Sequence, residues 1–386
     1  MDCIYLDNAA TSWPKPREVI TAMKDYQENL GASPGRSGHR LAIEAGRTVL
    51  DARIALAELF NAPSPLDIIF TKNATEALNI STLGLLRAGD HVITSSMEHN
   101  SIMRPLRFLE TRGVEVTVAR CSPEGELDPE DIRPLIKNNT RAIYLTHASN
   151  VSGTIMPVER AGAIAREHGI LFCVDAAQTA GAIPIDVERM NIDLLAFTGH
   201  KSLFGPSGTG GLYLRKGLDR EIDPLIMGGT GSRSEFEDQP DFMPDKFESG
   251  TPNTIGIAGL LAGVRFVMGS GIEAIEERER GLAFSFIQGI SSFEGVTVYG
   301  PAAAVKRIPV VSFNINGMSP SDAALFFDEK YNIMTRPGLH CAPSAHRTMG
   351  TFPIGTNRMS FGFFNSDADV RTAIEAVGEL HDYKNQ

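Results

Sequence analysis

From Leu59 onward, short apolar runs alternate with longer stretches in which apolar residues recur at helical spacing. The runs cover residues 67–71, 91–94, 114–118, 141–145, 170–174 and 194–197, with helical patterns over 76–86, 130–137 and 158–168 between them. Runs that are apolar on both faces predict buried strands, and helix-length crossovers between them predict parallel pairing, since no tight turn can return a chain in the same direction. The expectation is an α/β fold with a mostly parallel sheet. A glycine-rich, weakly patterned stretch follows over 227–254, and beyond it a helical pattern over 254–269 and an apolar run over 309–314 open a second portion. The pattern therefore predicts a large domain that ends near Thr254 and a smaller α+β domain after it. No internal repeat is visible.

Ligands of parallel sheets sit beyond the carboxyl ends of the strands. The residues that follow the apolar runs are polar: Asn73-Ala74-Thr75, Glu98-His99-Asn100, His147-Ala-Ser-Asn150, Asp175-Ala-Ala-Gln178 and Thr198-Gly-His200-Lys201. They are expected to converge on one crevice. Lys201, directly after a buried strand, has an amine that desolvation would bring down toward a nucleophilic, uncharged form. Asp175 ends a fully apolar run, where a carboxylate is costly without a cationic partner. A protonated pyridine nitrogen is such a partner, and the pairing of a lysine amine with a pyridinium-holding aspartate points to pyridoxal 5'-phosphate (PLP). His99 is placed to lie on the cofactor ring and relay protons. Asn150 and Gln178 could donate to the ring oxygen. The amides of Ala74 and Thr75, opening a helix, suit a phosphate, with Thr198 and His200 flanking the lysine. The segment 205–211, though rich in glycine, lacks the strand-to-helix context of a dinucleotide site.

Composition narrows the classes. The 386 residues are 42% hydrophobic and 22% charged, ordinary for a soluble globular protein. A net charge of −11 with no basic run argues against nucleic acid as a partner. The sequence has no apolar run of the about 18 residues that would span a membrane. The four cysteines, Cys3, Cys121, Cys173 and Cys341, lack the spacing of a disulfide framework or a zinc site, so the expectation is a cytoplasmic protein with no metal. His340, Cys341 and His346 lie close in sequence, but Pro343 interrupts them and no fourth ligand is near.

The segments 149–154, 174–178, 198–201 and 247–254, together with the opening Tyr5-Leu-Asp-Asn-Ala-Ala-Thr11, resemble the class V aminotransferase group over nearly the whole chain. Within that group the sequence is most similar to the cysteine desulfurases and selenocysteine lyases of the short active-site-loop branch. The resemblance implies PLP fold type I, with a large domain over 15–254 and a small domain built from 1–14 and 255–386. It also implies a homodimer in which Thr251 reaches the partner's phosphate, and it puts His39 near the substrate. Cys341, beside a histidine and close to Arg336, has a setting suited to a nucleophilic sulfur. By the resemblance it takes sulfur from L-cysteine, or selenium from L-selenocysteine, as a persulfide that an acceptor protein could discharge, leaving alanine. Arg358 matches the arginine that clamps the substrate carboxylate, a two-point geometry that lysine cannot copy. Aminotransferases and epimerases share the scaffold, and for them Cys341 would be incidental. The sequence departs from the branch at Leu339, where a histidine is common, and over 344–354.

Overall fold

The structure, a computed structural model, describes residues 3–34, 38–303 and 306–384. The chain opens with strand β1 (Ile4–Tyr5) and helices α1 (Arg17–Asp25) and α2 (Arg40–Leu59). The alternating part runs β2 (Ile68–Thr71), α3 (Ala74–Leu83), β3 (His91–Ser95), α4 (Asn100–Glu110), β4 (Glu115–Ala119), β5 (Thr140–Thr146), α5 (Val158–Glu167), β6 (Leu171–Asp175), β7 (Leu194–Thr198) and β8 (Gly210–Leu214). After a long irregular stretch come α6 (Thr254–Ser270), α7 (Ile272–Ile290), β9 (Val296–Tyr299), β10 (Val310–Ile315), α8 (Pro320–Tyr331), β11 (Ile333–Met334), β12 (Arg336–Gly338), α9 (Pro343–Thr348), β13 (Thr356–Ser360) and α10 (Asp367–Lys384).

The main sheet has the order β2-β8-β7-β6-β5-β3-β4. Every pair from β7 to β4 is parallel, whereas β8 runs antiparallel to both its neighbours. All six predicted runs are strands of this sheet, each within one residue of its expected ends. Strand β8 is the one the pattern misses. Its glycines are there for close approach: a Cβ on Gly211 would come 2.4 Å from the Phe197 ring, and one on Gly210 would come 2.7 Å from Asn73 Cα. The helix expected over 130–137 is instead a 3₁₀ segment, Pro129–Leu135, because Pro134 has no N–H to give an α-helical ladder. Helix α4, capped by the His99 side chain, was not foreseen.

The second core is antiparallel. Strands β12, β13, β10 and β9 pair in that order, and Phe286, Phe313, Phe327 and Phe361 pack behind them with 1% or less of their surface exposed. The N-terminal segment joins this core: β1 pairs in parallel with β11 through Ile4 and Ile333, and Leu6 is fully buried in the same cluster. Helix α6, which the expected division assigns to the small domain, packs against α1 and α2, and its Ile257, Leu260 and Val264 share the sheet's core. Among the described residues no single helix is long and apolar enough to cross a membrane; α6 and α7 reach that length only as a pair bent by 84°.

Candidate active site

A cleft of 280 Å³ opens beyond the carboxyl ends of the parallel strands, where the β12–α9 loop of the second core faces the main sheet. At one end stands α3. Asn73 caps it, its Oδ1 accepting from the Glu76 amide at 3.0 Å, so the first amides of the helix, those of Ala74 and Thr75, stay unpaired at the cleft wall. The Thr75 hydroxyl lies 2.7 Å from Ser101 Oγ.

His99 precedes α4 and lines the same cleft. Its Nδ1 accepts the Ser101 amide proton at 3.0 Å, so the ring's own proton sits on Nε2. Burial, and after it the charges of Lys201, Arg104 and Arg358, push the imidazole down to about 4. The ring is neutral and able to accept a proton.

Asp175 ends β6 with 3% of its surface exposed. Its Oδ1 accepts from the Ala177 amide at 2.9 Å, and the other oxygen has no hydrogen-bond partner among the described residues. Burial raises its pKa, and the Ala177 amide and Lys201 only offset part of that. Lys201, one strand over, is pushed down to about 8 by burial; Asp175 opposes the shift, while Arg358 and Arg336 add to it. Thr198 is buried at the end of β7, its hydroxyl 3.5 Å from the Thr209 carbonyl. His200 also lines the cleft, and its Nδ1 is buried with no partner among the described residues. Burial first, then Lys201 and Lys15, hold that ring at about 4. The N-terminal segment staples this lysine loop: the His200 carbonyl accepts from Lys15 Nζ at 2.7 Å, Thr11 Oγ1 at 2.9 Å and the Ser12 amide at 3.1 Å.

The facing wall comes from the second core. Arg358, in the middle of β13, has 2% of its surface exposed. One of its terminal nitrogens meets Asp7 Oδ1 at 2.7 Å, the other donates to the Asn150 carbonyl at 3.0 Å, and its Nε is buried without a partner among the described residues. Asp7 also pairs with the more exposed Arg336 at 3.5 Å. Cys341 is exposed at the cleft. The Asn150 side chain donates to the His340 carbonyl at 2.6 Å, and the Gln178 side chain donates to the Ala9 carbonyl at 3.1 Å.

Twelve of the residues singled out in the sequence thus meet at one cleft. Two do not in their own chain. Thr251 is exposed in the loop before α6, and His39 caps α2 by accepting from the Ala42 amide at 3.2 Å. Sequence reasoning missed Asp7, Ser101 and Lys15. Asp7 carried a visible signal, a carboxylate inside the opening motif that a pair of arginines would need. For Lys15 and Ser101 the signal is absent, because their role is to brace backbone and ring atoms that only the fold brings near.

The class-V aminotransferase family model matches residues 4–372. The chain belongs to the class-V aminotransferase family. A relative in Methanothermobacter thermautotrophicus, a probable cysteine desulfurase, is 37% identical, the match covering 98% of this chain and 95% of the relative. The solved apo cysteine desulfurase of Thermococcus onnurineus NA1 is 37% identical with a TM-score of 0.91, over 98% of this chain and 95% of that one. The cysteine desulfurase CsdA of Escherichia coli is 29% identical with a TM-score of 0.88, over 99% and 95%.

Class-V enzymes of this kind are PLP-dependent, and three features of the cleft suit that cofactor. The unpaired oxygen of buried Asp175 calls for a proton donor such as a pyridinium. The buried, unpartnered His200 Nδ1 and the free amides at the start of α3 call for an anion. The depressed Lys201 amine supplies the nucleophile for a carbonyl.

Proposed function

We propose that this protein is a PLP-dependent cysteine desulfurase that converts L-cysteine to L-alanine and carries the sulfur on Cys341. The observation behind this reading is that an exposed cysteine and a buried arginine line the same cleft as Lys201 and Asp175. In this reading Lys201 carries the cofactor, Asp175 holds the proton of its ring nitrogen, and the amides of Ala74 and Thr75, with Thr198 and His200, take its phosphate. When bound, PLP supplies an electron sink for bonds breaking at the substrate carbons.

The chain's own residues do the rest. Arg358 takes the substrate carboxylate, with Arg336 and Asn150 at the rim of that subsite. Lys201, pushed down to about 8 by burial, moves protons to and from the substrate carbons. His99, neutral with its proton on Nε2, would lie against the ring and could relay a proton, while Gln178 would keep one amide proton free for the ring oxygen. The Cys341 sulfur attacks the substrate's sulfur; a sulfur–sulfur bond forms as the carbon–sulfur bond breaks, and the carbon keeps the bonding pair and takes a proton. The enzyme is left with a persulfide at an exposed position, within reach of an acceptor protein. Thr251, exposed and outside its own cleft, is free to serve the partner of a homodimer, and His39 stands on the same footing. Four unpaired cysteines suit a reducing compartment such as the cytoplasm.

The test compares purified wild type, Lys201→Ala and Cys341→Ala. The visible PLP band is expected to vanish with Lys201, and release of sulfide with alanine from L-cysteine to vanish with Cys341. L-selenocysteine is assayed beside it. Sulfide release that survives Cys341→Ala would remove the persulfide step; the lack of any band after adding PLP would remove the whole reading.

A further inference from the structure

Cys341 stands on an unusual turn. Both His340, at φ 49°, and Cys341, at φ 57°, are in the left-handed region, which residues with a Cβ adopt only when their surroundings hold them there. Backbone bonds hold part of it: the Ala342 amide donates to the Leu339 carbonyl at 2.9 Å, and the Asn100 amide to the Cys341 carbonyl at 2.8 Å. The rest of the support is a line of side chains behind the turn, two of them from the segment 344–354.

The protons along that line can be assigned one by one. His340 Nε2 lies 3.0 Å from the Arg336 carbonyl, which only accepts, so Nε2 carries a proton. In a neutral ring Nδ1 is then an acceptor, and 3.3 Å away is His346 Nε2, which must donate. His346 Nδ1 is therefore an acceptor, and the Thr351 hydroxyl, 2.7 Å away, donates to it. The line runs in one direction, from Thr351 through His346 and His340 to Arg336. It requires both rings neutral, and burial holds His340 at about 3 and His346 at about 4. His346 is fully buried, and His340 and Thr351 are each 6% exposed.

We propose that His346, oriented by Thr351, is a positioning residue for Cys341: its Nε2–H fixes the tautomer and pose of the His340 ring, and so the left-handed turn that presents the sulfur to the cleft. Without that donor, His340 Nδ1 is a buried acceptor with no partner. The ring is then free to turn, the Arg336 bond is lost, and the backbone relaxes out of the left-handed region with the sulfur on it. The side chains of Lys201, Asp175 and Arg358 are not members of this line, and Arg336 enters it only through its backbone carbonyl, so cofactor binding stays as it was and carboxylate binding changes little. The consequence for turnover rests on Cys341 being the sulfur carrier; the assignment of ring protons does not.

The experiment uses the full chain loaded with PLP and three variants. His346→Gln keeps an N–H donor, His346→Leu removes it, and Thr351→Val removes only the hydroxyl that sets its direction. Nitrogen-15 NMR of the histidine rings is expected to show a single Nε2–H tautomer for His340 in wild type and His346→Gln, and a mixture in the other two. With L-cysteine, kcat of His346→Leu is expected to fall by about 10- to 100-fold, as for a reacting atom about 1 Å out of place, with His346→Gln largely restored. KM should change by less than about twofold, because the line meets the carboxylate site only at the Arg336 backbone carbonyl and not at a guanidinium. The proposal is overturned by an unchanged His340 tautomer in both His346→Leu and Thr351→Val, by glutamine that is as poor as leucine, or by an unchanged kcat. Should the leucine variant not fold, Thr351→Val decides alone on the same two readouts. Sulfide release that survives Cys341→Ala would sink the reading of Cys341 instead, and the NMR result would still judge the side-chain line.

Discussion

At the scale of single residues, the site is tuned mainly by burial. Lys201 is pushed down to about 8 from the usual 10.5 of a lysine because the cleft strips water from its amine. Between those two values the unfolded chain holds a proton that the folded chain has released. The penalty of burying the charged amine is therefore present below about pH 8 and is relieved as pH rises toward 10.5. Two outcomes are expected of the cofactor-free protein. The rate at which it takes up PLP, followed by absorbance, should rise as pH passes through about 8, since only the uncharged amine attacks a carbonyl. Lys201→Met should melt at a higher temperature than wild type below pH 8, with the gap closing toward pH 10. Lys15, also pushed to about 8, titrates in the same window, but it is common to both proteins and cancels in the comparison. Asp7 acts differently, by charge and direction: it is the carboxylate that holds both Arg358 and Arg336. Asp7→Ala leaves a buried guanidinium uncompensated, at a cost of about 3 kcal/mol in unfolding free energy. In steady-state assays KM for L-cysteine should rise more than kcat falls, because the clamp, and not the sulfur, loses its orientation.

At the scale of elements, α3 shows how a local signal becomes a binding device. Asn73→Ala removes the cap and should lower stability by about 1 kcal/mol in denaturant unfolding. It should also weaken PLP binding in equilibrium dialysis, because the amides of Ala74 and Thr75 lose their fixed direction. This helix was legible in the sequence, as were the six apolar strands, because hydrophobic period and a capping residue are local properties. Strand β8 was not, since Gly210 and Gly211 look like a loop until the Phe197 ring and the Asn73 backbone are seen to leave no room for a Cβ. The 3₁₀ segment at Pro129–Leu135 reads as a helix over 130–137 from its apolar spacing alone, and Pro134 within it is what prevents the α-helical ladder. The same division holds for the site. Lys201, Asp175 and His99 follow strands and announce themselves by position, and Cys341 and Arg358 come by resemblance. Asp7 and Lys15 act through partners 351 and 185 residues away, and His346 through a ring tautomer, none of which a spacing along the chain encodes.

At the scale of the whole molecule, the cleft exists because the second core is held against the sheet, and Arg307 is central to that hold. It is 3% exposed and forms no ion pair among the described residues; burial pushes it down to about 10. Its guanidinium donates instead to four carbonyls: Ser152 at 2.9 Å, Val310 at 2.9 Å, Pro301 at 3.1 Å and Tyr299 at 3.2 Å. Three of these belong to the second core and its approach. The fourth, Ser152, lies in the loop that carries Asn150, whose side chain holds the His340 carbonyl and whose own carbonyl holds Arg358. One buried cation therefore ties the second core to the loop that contacts both Arg358 and the His340 carbonyl. Arg307→Met keeps most of the side-chain volume and removes every donor. Each buried carbonyl left without a partner costs about 1–3 kcal/mol, so this variant should be among the least stable single changes in the chain, and denaturant unfolding would show it. The coupling itself is read by PLP. Lys201, Asp175 and α3 all stand on the sheet side, so PLP affinity should hold while KM for L-cysteine rises and kcat falls together. If Arg307→Met instead loses PLP and stability in proportion with KM unchanged, the arginine is a core residue of the fold and not the tie between its two halves.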